Sequence, residues 1–347
     1  MKKTESRDRP RPVRVVALGG GTGLSQLLRG LKEYVARRRK EQVKRPIADL
    51  AAVVTVTDDG GSSGRLRRDY KVLPPGDIRN CMVALSKDEA LLGRLFQYRF
   101  PTGHGLSGHS FGNLFLTALT NVTGDFPEAV RRAGQVLAIR GRIFPSTAQN
   151  VTLEAELENG RVVEGETEIS RSRQPIRRVR LVPRRVKPVP EVLNAIREAD
   201  LILVGPGSLY TSIIPNLLVE GVTQAMARSR ATRVYIANLM TQPGETDGYS
   251  VADHVRAIYK HTRDGLFDWV VINRTPASQK ILRSYLAHGA EPVAPSLQEL
   301  RRLGLRYVVA DLLHQDGVVR HDQRRLTRLV LEEFIKNPSS RKSLNAP

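Results

Sequence analysis

Cysteine is nearly missing from the 347 residues: Cys81 stands alone. No intramolecular disulfide framework is available to such a chain, and a reducing, cytoplasmic setting is expected. Aromatic residues make up only 5%, and they form no base-stacking motif of the RNA-binding kind. No apolar run reaches the ~18 residues that a membrane helix needs, and the first dozen residues lack the apolar core of a signal peptide, so membrane insertion is not expected. Acidic residues are scarce as well, 35 against 55 Lys and Arg, which leaves a net charge of +20. Such a surplus favours polyanions through counterion displacement. Here it is scattered over the N-terminal tail, Arg37–Lys40, Arg171–Lys187 and Arg301–Arg302, with no zinc spacing or helix-turn-helix beside it. A solvated, Arg-rich surface is therefore expected, and nucleic acid is not the expected partner. What the chain does have is apolar mass: 40% hydrophobic residues suffice for a packed core.

The pattern of that mass predicts an α/β fold: a mostly parallel sheet with helices on both faces, plus a small β-rich insertion. Continuous apolar runs at Val13–Leu18, Leu50–Thr57, Leu201–Val204, Val234–Asn238, Trp269–Asn273 and Tyr307–Asp311 alternate with amphipathic stretches, the signature of strands buried on both faces. Residues 77–138 read as mostly helical, and a last helix is expected at Arg324–Lys336. Alternating strands around Asn159-Gly160 between Glu154 and Ile169 predict a hairpin inside an insertion at 140–185. Residues 1–12 and 339–347 read as tails flanking a single domain at 13–338.

Chemistry concentrates where strands end. The first strand runs into Gly19-Gly20-Gly21-Thr22-Gly23 and then a helix, a turn that lets a ligand approach the backbone while the helix offers free N–H groups to an anion. A tight strand-to-helix turn is the alternative explanation of the glycines. The spacing is neither the dinucleotide fingerprint nor Walker A, since Leu24 or Gln26 falls where a third glycine belongs and no Lys-Ser/Thr follows. A second turn, Gly205-Pro206-Gly207-Ser208 with Thr211 and Ser212, also closes a buried strand. Two such turns at one sheet edge predict convergence on a phosphate-bearing ligand at a topological switch point. Asp58 and Asp59 end the second strand, where an acid binds a ribose, holds a metal or caps a turn. Ser110 and Asn113 open a helix, with His104 and His109 just before them as acid/base candidates. Asn238, Thr241 and Gln242 follow another strand and suit the edge of a nucleobase. Catalytic candidates are thus Asp58, Asp59 and His109.

Six collinear blocks carry a more specific signal: ALGGGTGLSQLLRGLK, VTVTDDGGSSGRLR, PPGDIRNCMVAL, GHSFGNLFLTALT, VGPGSLYTSIIPNLL and NLMTQPGETDGYSVADHV. From Val15 to Lys336 the chain resembles the YvcK-like gluconeogenesis factors of the CofD-like (2-phospholactate transferase) superfamily. The resemblance implies a modified Rossmann-like fold, a cytoplasmic protein, a nucleotide-sugar ligand of the UDP-N-acetylglucosamine type, and a role in cell shape and wall homeostasis during gluconeogenic growth, with a wall-synthesis protein as partner. It places Gly20, Gly21, Thr22, Gly23, Asn113, Gly207 and Ser208 around the diphosphate, Asp58 and Asp59 beside the sugar or acceptor end, and Asn238–Gln242 near the base. The transferase branch implies Mg²⁺ on Asp58 or Asp59 and phospho-acyl transfer; the GPGSLYTSIIPNLL and MTQPGET blocks resemble the gluconeogenesis-factor branch instead. A homo-oligomer is expected.

Overall fold

The structure, a computed structural model, describes residues 11–36, 45–87 and 91–336. Apart from Arg11 and Pro12, the expected tails lie outside the described residues. Strands are β1 (Val13–Gly19), β2 (Ile47–Val54), β3 (Arg142–Pro145), β4 (Thr152–Leu157), β5 (Val162–Glu164), β6 (Ile176–Val182), β7 (Leu201–Val204), β8 (Thr232–Ile236), β9 (Trp269–Asn273), β10 (Arg306–Ala310), β11 (Leu313–Asp316) and β12 (Val318–His321). Seven of them form one sheet in the order β10-β9-β8-β7-β1-β2-β3, with every neighbouring pair parallel. Val15–Leu18, Leu50–Val54 and Leu201–Val204 are buried throughout. A strand covered on both faces has no use for alternation, which is why these runs are continuously apolar.

The strand order sets the position of the site. From β1 the chain moves outward through β2 to β3. It then returns to β7 on the other flank of β1 and moves outward again to β10. The loops after β1 and β7 therefore leave adjacent strands in opposite directions and open a crevice between them. Helix α1 (Gly21–Leu31) follows β1, and α2 (Gly61–Tyr70), α3 (Gly76–Leu85), α4 (Leu91–Gln97) and α5 (Phe111–Thr123) follow β2.

The insertion is a separate antiparallel sheet, β5-β4-β6. Its hairpin turns at Asn159-Gly160, where Arg161 N donates to Asn159 Oδ1 at 3.0 Å and Gly160 takes φ +82°. Leu153, Ala155 and Leu157 face inward with Ile176, Val179 and Leu181. Two boundaries differ from expectation. Arg142–Pro145 pairs with Ala51–Val54, so it is the seventh strand of the main sheet and not the start of the insertion. Residues 166–169 do not continue the hairpin but open the helix Glu166–Ser172, because Gly165 at φ +93° turns the chain and Asp59 accepts from Thr167 N in the first turn. The last helix runs as Gln323–Leu329 and continues as a π-helical stretch to Lys336.

Candidate functional site

The two glycine turns meet. A β-carbon on Gly23 would overlap the carbonyl oxygen of Pro206, and one on Gly207 would lie 3.5 Å from Gly20 O. Glycine at 23 is thus required by contact, whereas Gly21 is required by its backbone, at φ +62° with open space beside it. Asn216, fully buried, donates from Nδ2 to Gly19 O at 2.9 Å and to Ser212 O at 2.7 Å, tying the first turn to the helical segment after the second.

Beside this junction lies a cleft of about 270 Å³ lined by Thr22, Gly23, Gly207, Ser208, Asn238, Thr241 and Gln242. All seven are sequence-predicted site residues. Asn238 braces the second turn by accepting from Gly207 N at 3.4 Å. Thr241 and Glu291 bond each other reciprocally through main chain and hydroxyl, which holds the 238–242 wall in place. The cleft also gains Gln26, Tyr285, Arg320 and His321. His321 sits at the end of β12, and burial pushes its imidazole down to about 4, so it is neutral near pH 7. Arg320 supplies the positive charge.

The remaining candidates gather elsewhere. Asp58 and Asp59 diverge, as successive residues on extended chain must. Asp58 Oδ2 lies where a β-carbon on Gly76 would be 2.5 Å away, and the Asp77 carboxylate lies 2.6 Å from the same position on Gly20. Glu166 faces the same space and bonds Thr211. Desolvation and the neighbouring Asp58 charge push Asp77 up to about 7, even though the Gly21 N–H donates to it. Desolvation, with Asp58 and Asp77 adding repulsion, pushes Glu166 up to about 9. Gly21 N–H, an expected phosphate donor, is thereby committed to Asp77. Asp59 stands at the rim of this acidic well, its charge adding to the repulsion on Glu166, and Thr167 donates to its Oδ1 from N at 2.9 Å and from Oγ1 at 2.6 Å. It anchors the insertion through Oδ1.

Asn113 departs from the expected diphosphate set. It is buried, and Nδ2 donates to Ser62 Oγ at 3.2 Å, while His109 Nδ1 shares that hydroxyl at 2.9 Å. Desolvation, then Arg65, holds His109 below the usual histidine range. Ser110 caps α5 by accepting from Asn113 N and also receives Arg79 Nη1 at 2.6 Å. His104 lies exposed on the loop before them.

Glu245, which no sequence pattern within MTQPGET marks, anchors the second turn from behind. Ser208 Oγ donates to its Oε2 at 2.7 Å and Ser170 Oγ to its Oε1 at 3.2 Å, while Thr211 Oγ1 donates to Ser208 at 2.9 Å. The clustered hydroxyls of Ser208 and Thr211 therefore serve structure first, as a cap and a brace. Ser212 is buried against Gly20. Burial raises the Glu245 carboxyl above its ordinary range. Glu245→Ala removes the acceptor of half-buried Ser208 and exposed Ser170 and is expected to cost about 0.5–1.5 kcal/mol, with a smaller loss for Glu245→Gln; thermal melts of the two variants check the order.

Comparison with known proteins gives a consistent result. The family described as 2-phospho-L-lactate transferase CofD matches residues 15–313. A gluconeogenesis factor from Halalkalibacterium halodurans is 46% identical over 328 residues, covering 94% of this chain and 98% of that protein. The gluconeogenesis factor of Bacillus subtilis is 47% identical over 320 residues, covering 92% and 97%. A crystal structure of a protein from Bacillus halodurans superposes with a TM-score of 0.87 at 45% identity, covering 92% of this chain and all of that one.

Proposed function

The chain belongs to the CofD family and is similar to its gluconeogenesis factors, and from that premise we propose that it is a cytoplasmic nucleotide-sugar-binding protein, with a ligand of the UDP-N-acetylglucosamine type. One observation carries this reading: two glycine turns in contact at the switch point border a cleft that continues along Asn238–Gln242. The α1 N-terminus has N–H groups without intrahelical acceptors at Thr22 and Gly23, where a diphosphate is stabilised by both the donors and the helix dipole. Arg320 at the cleft adds a charge-assisted donor. The amide and hydroxyl groups of the 238–242 wall suit the polar edge of a uracil. In this reading ligand occupancy reports nucleotide-sugar supply to wall synthesis, through a protein partner, during gluconeogenic growth.

Calorimetry tests it. UDP-N-acetylglucosamine and UDP are expected to bind and uridine to bind far more weakly, because the diphosphate supplies the charge. Arg320→Glu is expected to weaken the diphosphate ligands about tenfold or more. No heat with any UDP-sugar overturns the reading.

A second reading, phospho-acyl transfer of the 2-phospholactate transferase kind, is favoured by the acidic well. Mg²⁺ takes one or two carboxylates plus substrate phosphates, and Asp58 with Asp77 fits that demand, whereas one oxygen of Asp59 is already held by Thr167. Among the described residues no three His, Cys, Asp or Glu side chains assemble as a metal set, so any Mg²⁺ there relies on the substrate for its other ligands. Bound Mg²⁺ offsets charge on a departing phosphate. Mg²⁺-dependent turnover that disappears in Asp58→Asn supports this reading, and ligand binding without product for any acceptor speaks against it.

A further inference from the structure

The segment from α4 to the start of α5 exposes more apolar surface than its packing uses. Helix α4 buries Gly93 and Phe96, and Phe96 packs against Phe111 and Phe115 at ring-centroid distances of 5.9 and 5.2 Å. The opposite face is apolar as well: Leu91 is 65% exposed and Leu95 41%, four residues apart on one helical stripe, and Tyr98, just past the helix end, is 48% exposed. Beyond Tyr98 the chain folds back on itself. Phe100 N donates to His109 O at 2.9 Å, Gly108 N to Phe100 O at 2.8 Å and Phe111 N to Tyr98 O at 2.8 Å. This ladder fixes a small lobe on which Leu106 is 45% exposed.

Basic residues outnumber acidic ones around this lobe. Residues 91–110 contain Arg94 and Arg99 but no Asp or Glu, with Asp88 and Glu89 just before them in the chain. Arg65 of α2 reaches over to Ser107 O at 2.7 Å, and Arg68 and Lys71 stand exposed at the end of the same helix, where they outweigh Asp69. Leu91, Leu95, Tyr98 and Leu106 are all large apolar side chains open to solvent. Exposed leucines and a tyrosine beside Arg65, Arg94 and Arg99 match the surface of an anionic bilayer, where apolar groups enter the acyl boundary and basic groups meet the phosphates. A second copy of the chain fits poorly, because a two-fold contact through this lobe sets arginine against arginine.

We infer that the α4–α5 lobe is a peripheral docking surface for an anionic lipid bilayer. The contact is interfacial; no helix among the described residues is long and apolar enough to cross a membrane. It is independent of the nucleotide-sugar reading, since it uses no residue of the cleft.

The test is co-sedimentation of the full chain with mixed phosphatidylcholine–phosphatidylglycerol vesicles and with phosphatidylcholine alone. Binding is expected to the mixed vesicles only. A chain of net charge +20 adheres weakly to any anionic surface, so the decisive comparison is Leu91→Glu/Leu95→Glu. It is expected to cut binding at least tenfold, more than two added charges of the same kind at a surface site remote from the lobe. A second measurement does not depend on lost binding: the chain has a single, buried tryptophan, Trp269, so a new indole in Leu95→Trp reads the patch directly. Its emission is expected to shift to the blue on mixed vesicles and to be quenched by brominated acyl chains. Equal loss in the lobe and remote variants, or an unshifted emission from vesicle-bound Leu95→Trp protein, overturns the inference. So does a dimer in gel filtration that Leu91→Glu/Leu95→Glu abolishes, because the lobe is then covered by a second copy.

Discussion

Gly23→Ala is expected to abolish nucleotide-diphosphate binding, at a cost of at least about 100-fold in affinity, or ~2.7 kcal/mol. The added β-carbon meets the backbone carbonyl of Pro206, which no rotamer change can move. To relieve the overlap the two turns must separate, and the cleft they border then loses its floor. Overpacking of this kind costs about 1–3 kcal/mol of stability, so the variant should fold with a lowered melting temperature. Gly21→Ala is the internal control. Its β-carbon enters open space and its penalty is the left-handed backbone, about 1–2 kcal/mol, so stability falls while binding persists within a few fold. Calorimetry and thermal melts on the pair separate the effects. If Gly23→Ala binds like the parent, the junction of the turns is not the diphosphate seat.

Asp77→Asn with Glu166→Gln is expected to stabilise the protein at pH 8 and to change little near pH 4. Both acids are held above their ordinary range, at about 7 and about 9, so the folded state binds more protons than the open chain between roughly pH 4 and those values. Stability of the parent therefore falls as pH rises through that window, by at most ~1.4 kcal/mol per pH unit for each group. Asp77 and Glu166 titrate together beside the Asp58 charge, and the gain in the variant at pH 8 is on the order of a few kcal/mol. Melting curves from pH 4 to pH 9 check the sign: the gap between variant and parent should widen with pH. A constant gap would mean that the carboxyls are not crowded in the fold.

Much of this architecture is legible in the sequence because it depends on local pattern. β1 and β7 are short, wholly apolar at their centres and closed by glycine turns, and each feature has a local cause. β3 escapes such a reading since Arg142–Pro145 offers four residues, one charged and one proline, and becomes a strand only through its pairing with β2. β6 hides its buried Ile176, Val179 and Leu181 among arginines. The helix at Glu166–Ser172 reads as strand because its start depends on Gly165 together with Asp59, which lie over a hundred residues apart in the chain. The site divides in the same way. Thr22, Gly23, Gly207, Ser208, Asn238, Thr241 and Gln242 sit just beyond strand ends, which the topology brings to one edge. Asp77, Glu166, Glu245 and Arg320 are inconspicuous because their importance arises from neighbours distant in sequence. Only Asp77 carries a hint, as an acid just inside the helix opened by Pro74-Pro75-Gly76.

The antiparallel excursion between β3 and β7 supplies Glu166, Thr167 and Ser170, which reach the acidic well, Asp59 and Glu245 respectively. The proposed phosphate seat comes from the two glycine turns of the central sheet, with Arg320 of β12 beside them. Anchoring and discrimination are thereby assigned to separate stretches of polypeptide. Replacing that excursion like an interchangeable cassette would retune what is chosen at one end of the crevice without rebuilding what grips at the other.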